Sequence, residues 1–202
     1  MKKVLAVLLI AALALMMCSC GLEKVPTADE IVGNTSGNVY ENDYLSLKFT
    51  KPSSWVFYTA DEIAEITGMT EDLLAEGGVE SAVDVQHFDM MAYNQETGSN
   101  ISVALQIIGN TTEEIDLDEI LDSAETEIVN TGAAIGMSYS FGGRETVKLS
   151  GIEFRKLTAS AEFYGISYEQ ACYVAVHKGV AINVTVSIFD DTQLSEFEAM
   201  FS

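Results

Sequence analysis

Apolar residues in this chain alternate with polar ones over several short runs, and between those runs their spacing lengthens to that of a helix. Leu45, Leu47 and Phe49 share one strand face after an Asn42–Asp43 turn. Pro52 lacks the N–H that a ladder needs and predicts the end of that strand. Trp55, Phe57 and Tyr58 then return large apolar bodies toward a core. The stretch TADEIAEITGMTEDLLAEGG predicts two short helices. Thr59 and Glu62 have capping-box spacing, Gly68 ends the first helix, and Thr70 caps a second that Gly77–Gly78 closes. Residues 86–108 predict a hairpin with Gly98 in its polar loop and Ile101, Val103, Leu105 and Ile107 on one face. From Asp116 the period changes. Leu117, Ile120, Leu121, Ala124 and Ile128 form a helical stripe, with Asp116 at the cap position and Glu119 three residues on.

The last third returns to strands. ETVKLSGIEFRKL turns at Ser150–Gly151, and a two-residue loop there sets Lys148 opposite Glu153, Glu145 opposite Lys156 and Val147 opposite Phe154. Both charge pairs are of opposite sign, which supports the register. A second hairpin crosses at Lys178–Gly179, with Ile182, Val184, Val186 and Ile188 pointing one way and Asn183, Thr185 and Ser187 the other. A closing helix from Thr192 carries Leu194, Phe197 and Phe201 inward. Strands joined by tight turns are antiparallel, so the fold class is α+β, a mostly antiparallel β-sheet with flanking helices. No internal repeat is evident.

The segment YENDYLSLKFTKPSSW, Tyr40 to Trp55, resembles the opening hairpin of PsbP/Mog1-like domains: an aromatic, a turn, an alternating strand and Pro-x-x-Trp follow in that order. Ser46 and Ser54 stand where that family commonly has glycine. The resemblance implies a PsbP/Mog1-like sandwich that works by binding, as an accessory or docking subunit. It brings no shared catalytic motif.

The chain begins Met-Lys-Lys and runs on apolar from Val4 to Met17. That run is shorter than the ~20 residues of a membrane-spanning helix and has the pattern of a secretory signal. MCSCG, which follows small Ser19 with Cys20 and Gly21, resembles the lipobox of bacterial lipoproteins. The resemblance implies lipid on Cys20. Cys18 fits badly, because bulky Met17 would sit at the cleavage position. An ordinary signal peptide or a buried N-terminal helix is the alternative. The expected organisation is a signal peptide over 1–19, a polar tether over 20–38 that need not pack on the domain, and a single α+β domain over 39–202. Two acyl chains on Cys20 would anchor the protein to the extracytoplasmic face of a cell membrane, where one chain alone is marginal.

Charge narrows the partners. The chain holds 10 basic and 31 acidic residues, and losing Lys2 and Lys3 with the leader takes the net charge from −21 to −23. No lysine or arginine lies between Pro52 and Gly143, a span with 18 acidic residues. Such a surface repels phosphate backbones, so nucleic acid is excluded as a partner. It suits either a solvated exterior or a docking face for a basic partner, a protein or cell-envelope component, or for divalent cations.

Candidate chemistry is sparse. Once Cys20 carries lipid, Cys172 has no disulfide partner. It sits in an apolar strand with His177 on the opposite side, so it reads as a small core residue. His87 and His177 are too far apart in sequence for a zinc pattern. EEIDLDEILD has acids at helical spacing without the central glycine of a calcium loop, and reads as a solvated helix face. Met90–Met91, beside Phe88 and Tyr93, reads as core packing rather than an apolar groove. No phosphate loop, GxSxG or HExxH motif is found, and no cofactor is expected. Two functions follow. One is a non-catalytic docking module with an acidic face. The other is a lipoprotein that binds a small molecule or peptide in a cleft near Trp55, Phe57 and Tyr58.

Overall fold

The computed structural model describes residues 26–76, 87–109 and 115–202. The leader, Cys20 and the Gly77–Gly78 pair lie outside them. Among the described residues, ten strands form two antiparallel sheets. The smaller has the order β1-β2-β3, from β1 (Asn34–Ser36), β2 (Val39–Asn42) and β3 (Leu47–Thr50). The larger has the order β4-β5-β6-β10-β9-β8-β7, from β4 (Trp55–Phe57), β5 (His87–Asn94), β6 (Asn100–Ile107), β7 (Met137–Leu149), β8 (Ile152–Phe163), β9 (Ile166–His177) and β10 (Val180–Ile188). The helices are α1 (Ala60–Glu76), α2 (Leu117–Ala134) and α3 (Leu194–Glu198).

The alternation legible in the sequence decides which faces meet. Leu45, Leu47, Phe49 and Tyr40 close over Ile101, Val103, Leu105, Ile182, Val184 and Val186 of the large sheet in one core. Phe197 of α3 and Phe201 complete it, with the Phe201 ring tilted against Phe49 at 5.1 Å. The opposite face of the large sheet takes α2, whose Leu121, Ala124 and Ile128 pack on Leu157, Cys172 and Val174. Asp116 caps α2 by accepting N–H bonds from Asp118 and Glu119 at 2.9 and 3.4 Å. Asn183, Thr185 and Ser187 of β10 are as buried as their apolar neighbours. Both faces of this central strand are covered.

The hairpins close as expected. Lys148 pairs with Glu153, Glu145 with Lys156 and Val147 with Phe154. Ser150–Gly151, Tyr164–Gly165 and Lys178–Gly179 each place both residues at positive φ, the two-residue turn that matches strand twist. Ser46 also takes a positive φ of 60°, the left-handed backbone that explains glycine at this position in PsbP/Mog1-like domains.

Two expectations need correction. One helix, Ala60–Glu76, replaces the two expected on either side of Gly68. The Thr59–Glu62 box is formed, with reciprocal bonds of 2.8 and 3.3 Å, but an interior glycine costs a helix only about 1 kcal/mol and does not end it. The folded body also begins before Val39. Ile31 is buried in the main core, β1 pairs with β2, and Gly33 donates its N–H to Asp89. The part of the tether from Pro26 onward is thus held by contacts distant in sequence, which composition alone cannot show.

Candidate functional site

Strand alternation separates the three aromatic residues expected to share a surface. Trp55 is 4% exposed and meets Phe197 edge-on at 5.4 Å within the main core. Phe57 packs on the same side against Phe49, with the Lys51 ammonium 5.4 Å from its ring centre. Tyr58 stacks on Tyr93 at 4.6 Å, on the other side of the sheet. Its hydroxyl is held above the ordinary phenol range by burial, and then by Tyr93 and Glu62. The lipidation residue, Cys20, lies outside the described residues.

Other residues singled out from sequence also resolve into packing. Met90 and Met91 are both buried, on opposite faces of β5. Cys172 lies under α2, and burial pushes its thiol up to about 12, which leaves no thiolate for chemistry at neutral pH. Among the described residues, no group of three or more His, Cys, Asp or Glu side chains is placed to hold a metal ion. A depression of about 560 Å³ bounded by Pro26, Glu30, Asp43 and Tyr44 is open to solvent. It is too shallow and open to enclose a ligand, and two carboxylates stand among its lining residues.

The acidic helix is more than a solvated face. Asp118, Asp122 and Glu125 follow one another at i, i+4 and i+7, and this shared side turns toward β7 and β8. Arg144 reaches all three, at 3.6 Å to Asp118, 2.7 Å to Asp122 and in a close pair with Glu125. Arg155 holds Asp118 at 2.9 Å. The helical spacing of Asp118, Asp122 and Glu125 was the available signal in the sequence. The partner strand was what sequence reading lacked. Arg144→Ala is expected to lower stability by about 1 kcal/mol, and to do so less in high salt, because most of the carboxylates are partly solvated. Thermal unfolding at two ionic strengths reads both effects.

What remains open lies at the β7–β8–β9 end of the large sheet. Ser138 stands opposite Glu162, which stands opposite Ser167; Ser140 stands opposite Ser160, which stands opposite Glu169. All six side chains share the face that the small sheet covers farther along, and all six are exposed. Their strand neighbours Met137, Ala161, Phe163 and Tyr168 are buried on the other face. Lys156 closes the inner border of this patch and is already held by Glu145 at 2.6 Å and Glu198 at 2.8 Å. Among the described residues, no lysine or arginine pairs with Glu162 or Glu169. The result is a bare, hydroxyl-rich sheet face with unneutralised negative charge over a closed core.

Two antiparallel sheets, the larger backed by a crossing helix and the core closed by a C-terminal helix, define a PsbP-like α+β sandwich. The chain superposes on the solution structure of cyanobacterial PsbP (CyanoP) from Synechocystis sp. PCC 6803 with a TM-score of 0.52, covering 91% of this chain and 92% of that one at 14% identity. Neither a family model nor a curated protein sequence matches.

Proposed function

We propose that this protein is a non-catalytic accessory module, tethered through lipid on Cys20 to the extracytoplasmic face of a membrane, that docks a basic protein or cell-envelope partner on its bare sheet face. The observation that supports the reading is the exposed set Ser138, Ser140, Ser160, Glu162, Ser167 and Glu169 on one sheet face, where, among the described residues, no lysine or arginine pairs with either glutamate. Short hydroxyls add contact area at little entropic cost, and the two carboxylates supply the attraction. The lipobox resemblance around Cys20 supports the anchor, and the PsbP-like sandwich supports an accessory role.

Cys20→Ser is expected to abolish incorporation of labelled palmitate and to move the protein from the membrane to the soluble fraction. Retained label would sink the anchor. In crosslinked native membranes, the wild-type chain is expected to run as a larger species, and Glu162→Lys/Glu169→Lys to run as the free chain. An unchanged crosslinked species in the double variant would remove the sheet face as the docking surface.

A further inference from the structure

We propose that the free edge of β7, from Met137 to Phe141, takes up an extended basic segment of a partner polypeptide as an eighth strand of the large sheet. This rests on the docking reading and specifies its partner. Among the described strands, β7 pairs only with β8, and at 13 residues it is a far longer edge than three-residue β4 at the other end. An edge strand leaves the N–H and C=O of every second residue unpaired, and folded proteins usually blunt such edges with charge, proline or a bulge. The second half of β7 is blunted in this way, by Arg144, Lys148 and a register shift between Phe141 and Arg144. The first part, Met137–Phe141 (MSYSF), has neither charge nor proline and pairs regularly up to the shift at Gly142–Gly143.

The two faces of that edge ask for different side chains. On the bare face, an incoming residue would lie beside Ser138 or Ser140. Strands are spaced about 4.8 Å apart, so Glu162 lies about 10 Å from the new strand, across one short serine. A lysine or arginine can span that distance and meet the carboxylate. On the opposite face lie Tyr139 and Phe141, packed against the α2 cluster and only partly exposed at their edges, with near-parallel rings 6.2 Å apart. An apolar side chain would pack there. An independent observation marks the same corner as sticky. The described residues include four exposed large apolar side chains, and two of them, Tyr164 at 81% and Ile166 at 42%, are at the β8–β9 turn beside Met137. The occupant is therefore a strand that alternates basic and apolar residues, bound by main-chain hydrogen bonds with side chains setting the choice. A second copy of this chain is disfavoured, because edge-to-edge pairing would set the unneutralised Glu162 and Glu169 of two strongly acidic chains into one surface.

The test uses the full chain in detergent and a fluorescent peptide of alternating lysine and valine. Anisotropy is expected to show saturable binding, and hydrogen exchange to slow at Met137–Phe141. Methylating alternate peptide nitrogens keeps every charge but removes strand pairing, and is expected to weaken binding about tenfold or more. Replacing the lysines by glutamate is expected to abolish binding. Equal binding by the methylated peptide, or protection confined to other strands, would overturn strand addition while leaving docking on the acidic face intact. If neither peptide binds but the crosslinked membrane species still depends on Glu162 and Glu169, strand addition alone fails. If that dependence is also absent, the docking reading fails with it.

Discussion

The Asp89→Ala variant is expected to lose about 3–5 kcal/mol of folding stability, measured by urea unfolding, the range for breaking a buried charged network. Asp89 is the extra residue at the register shift between Phe88 and Met90, and its side chain is 1% exposed. Gly33 N–H donates to both of its oxygens, at 2.9 and 3.0 Å, the Tyr40 hydroxyl at 2.6 Å and the Asn42 amide at 3.0 Å. Asn42 also donates to the carbonyl of Ile31 at 2.6 Å and accepts from Leu45 N–H at 2.9 Å. One carboxylate thus holds the N-terminal arm, the small sheet and the large sheet together. Alanine leaves three donors without their acceptor. Asp89→Asn keeps one acceptor oxygen but turns an NH₂ toward those donors, so it is expected to lose less. An unchanged urea midpoint in Asp89→Ala would show that the arm is held by Ile31 alone.

The same network sets a pH window. Burial pushes the Asp89 carboxyl up, but bonds from His87, Tyr40, Gly33 and Asn42 outweigh it and hold the group below its ordinary 3.8. Its contribution is present above that value and is lost as pH falls through the lower folded value. The Asp89 carboxylate, 3.6 Å from the His87 ring, raises the imidazole above its ordinary 6.5 despite partial burial. That contribution is full below 6.5 and is lost as pH rises through the higher folded value. His87→Gln is expected to remove the alkaline decline and, because it takes away one of the bonds that hold Asp89 low, to move the acid decline to higher pH.

Lys156→Ala is expected to cost about 1–3 kcal/mol, because it leaves the largely buried Glu198 carboxylate without its cation while exposed Glu145 returns to water. Lys156 is 6% exposed, yet its ammonium meets Glu145 at 2.6 Å and Glu198 at 2.8 Å. The Tyr173 hydroxyl donates to the same Glu198 oxygen at 3.1 Å, and the ammonium lies 5.8 Å from the Tyr173 ring centre. Burial alone would lower the lysine, but the two carboxylates outweigh it and raise it above 10.5. The cluster therefore keeps its stability below that value and loses it only in strong alkali. Lys156→Met retains the packed stem and is expected to lose less than alanine, while Lys156→Ala frees α3 first. Amide exchange along Leu194–Glu198 that rises no faster than in β10 would refute that order of loosening.

The sequence was most informative where contacts are local. Thr59–Glu62 and Asp116 announce helix starts because a cap bonds within three residues. Ser150–Gly151 sets the β7–β8 register as far as Arg144 because a two-residue turn leaves one alignment of Lys148, Val147 and Glu145; the shift beyond it carries no such local signal. Strand alternation marked Ile182, Val184, Val186 and Ile188 as one core face. It also carried a limit into the site: neighbours such as Phe57 and Tyr58 point to opposite sides of a sheet, so aromatic clustering along the chain does not make a surface. Gly68 misled because a glycine weakens a helix without dictating its end.

By itself, then, the order of residues determined where helices and hairpins begin, which faces are apolar, and the strong acidity of the chain. Tertiary structure alone decided that Asp89 anchors residues 31–42, that Arg144 and Arg155 engage α2, and that, among the described residues, none covers one end of the large sheet. The physical reason is range. Capping and turn bonds join neighbours and leave a spacing that can be read, whereas a buried carboxylate meets donors dozens of residues away. An open edge, in turn, is defined by which strand fails to arrive.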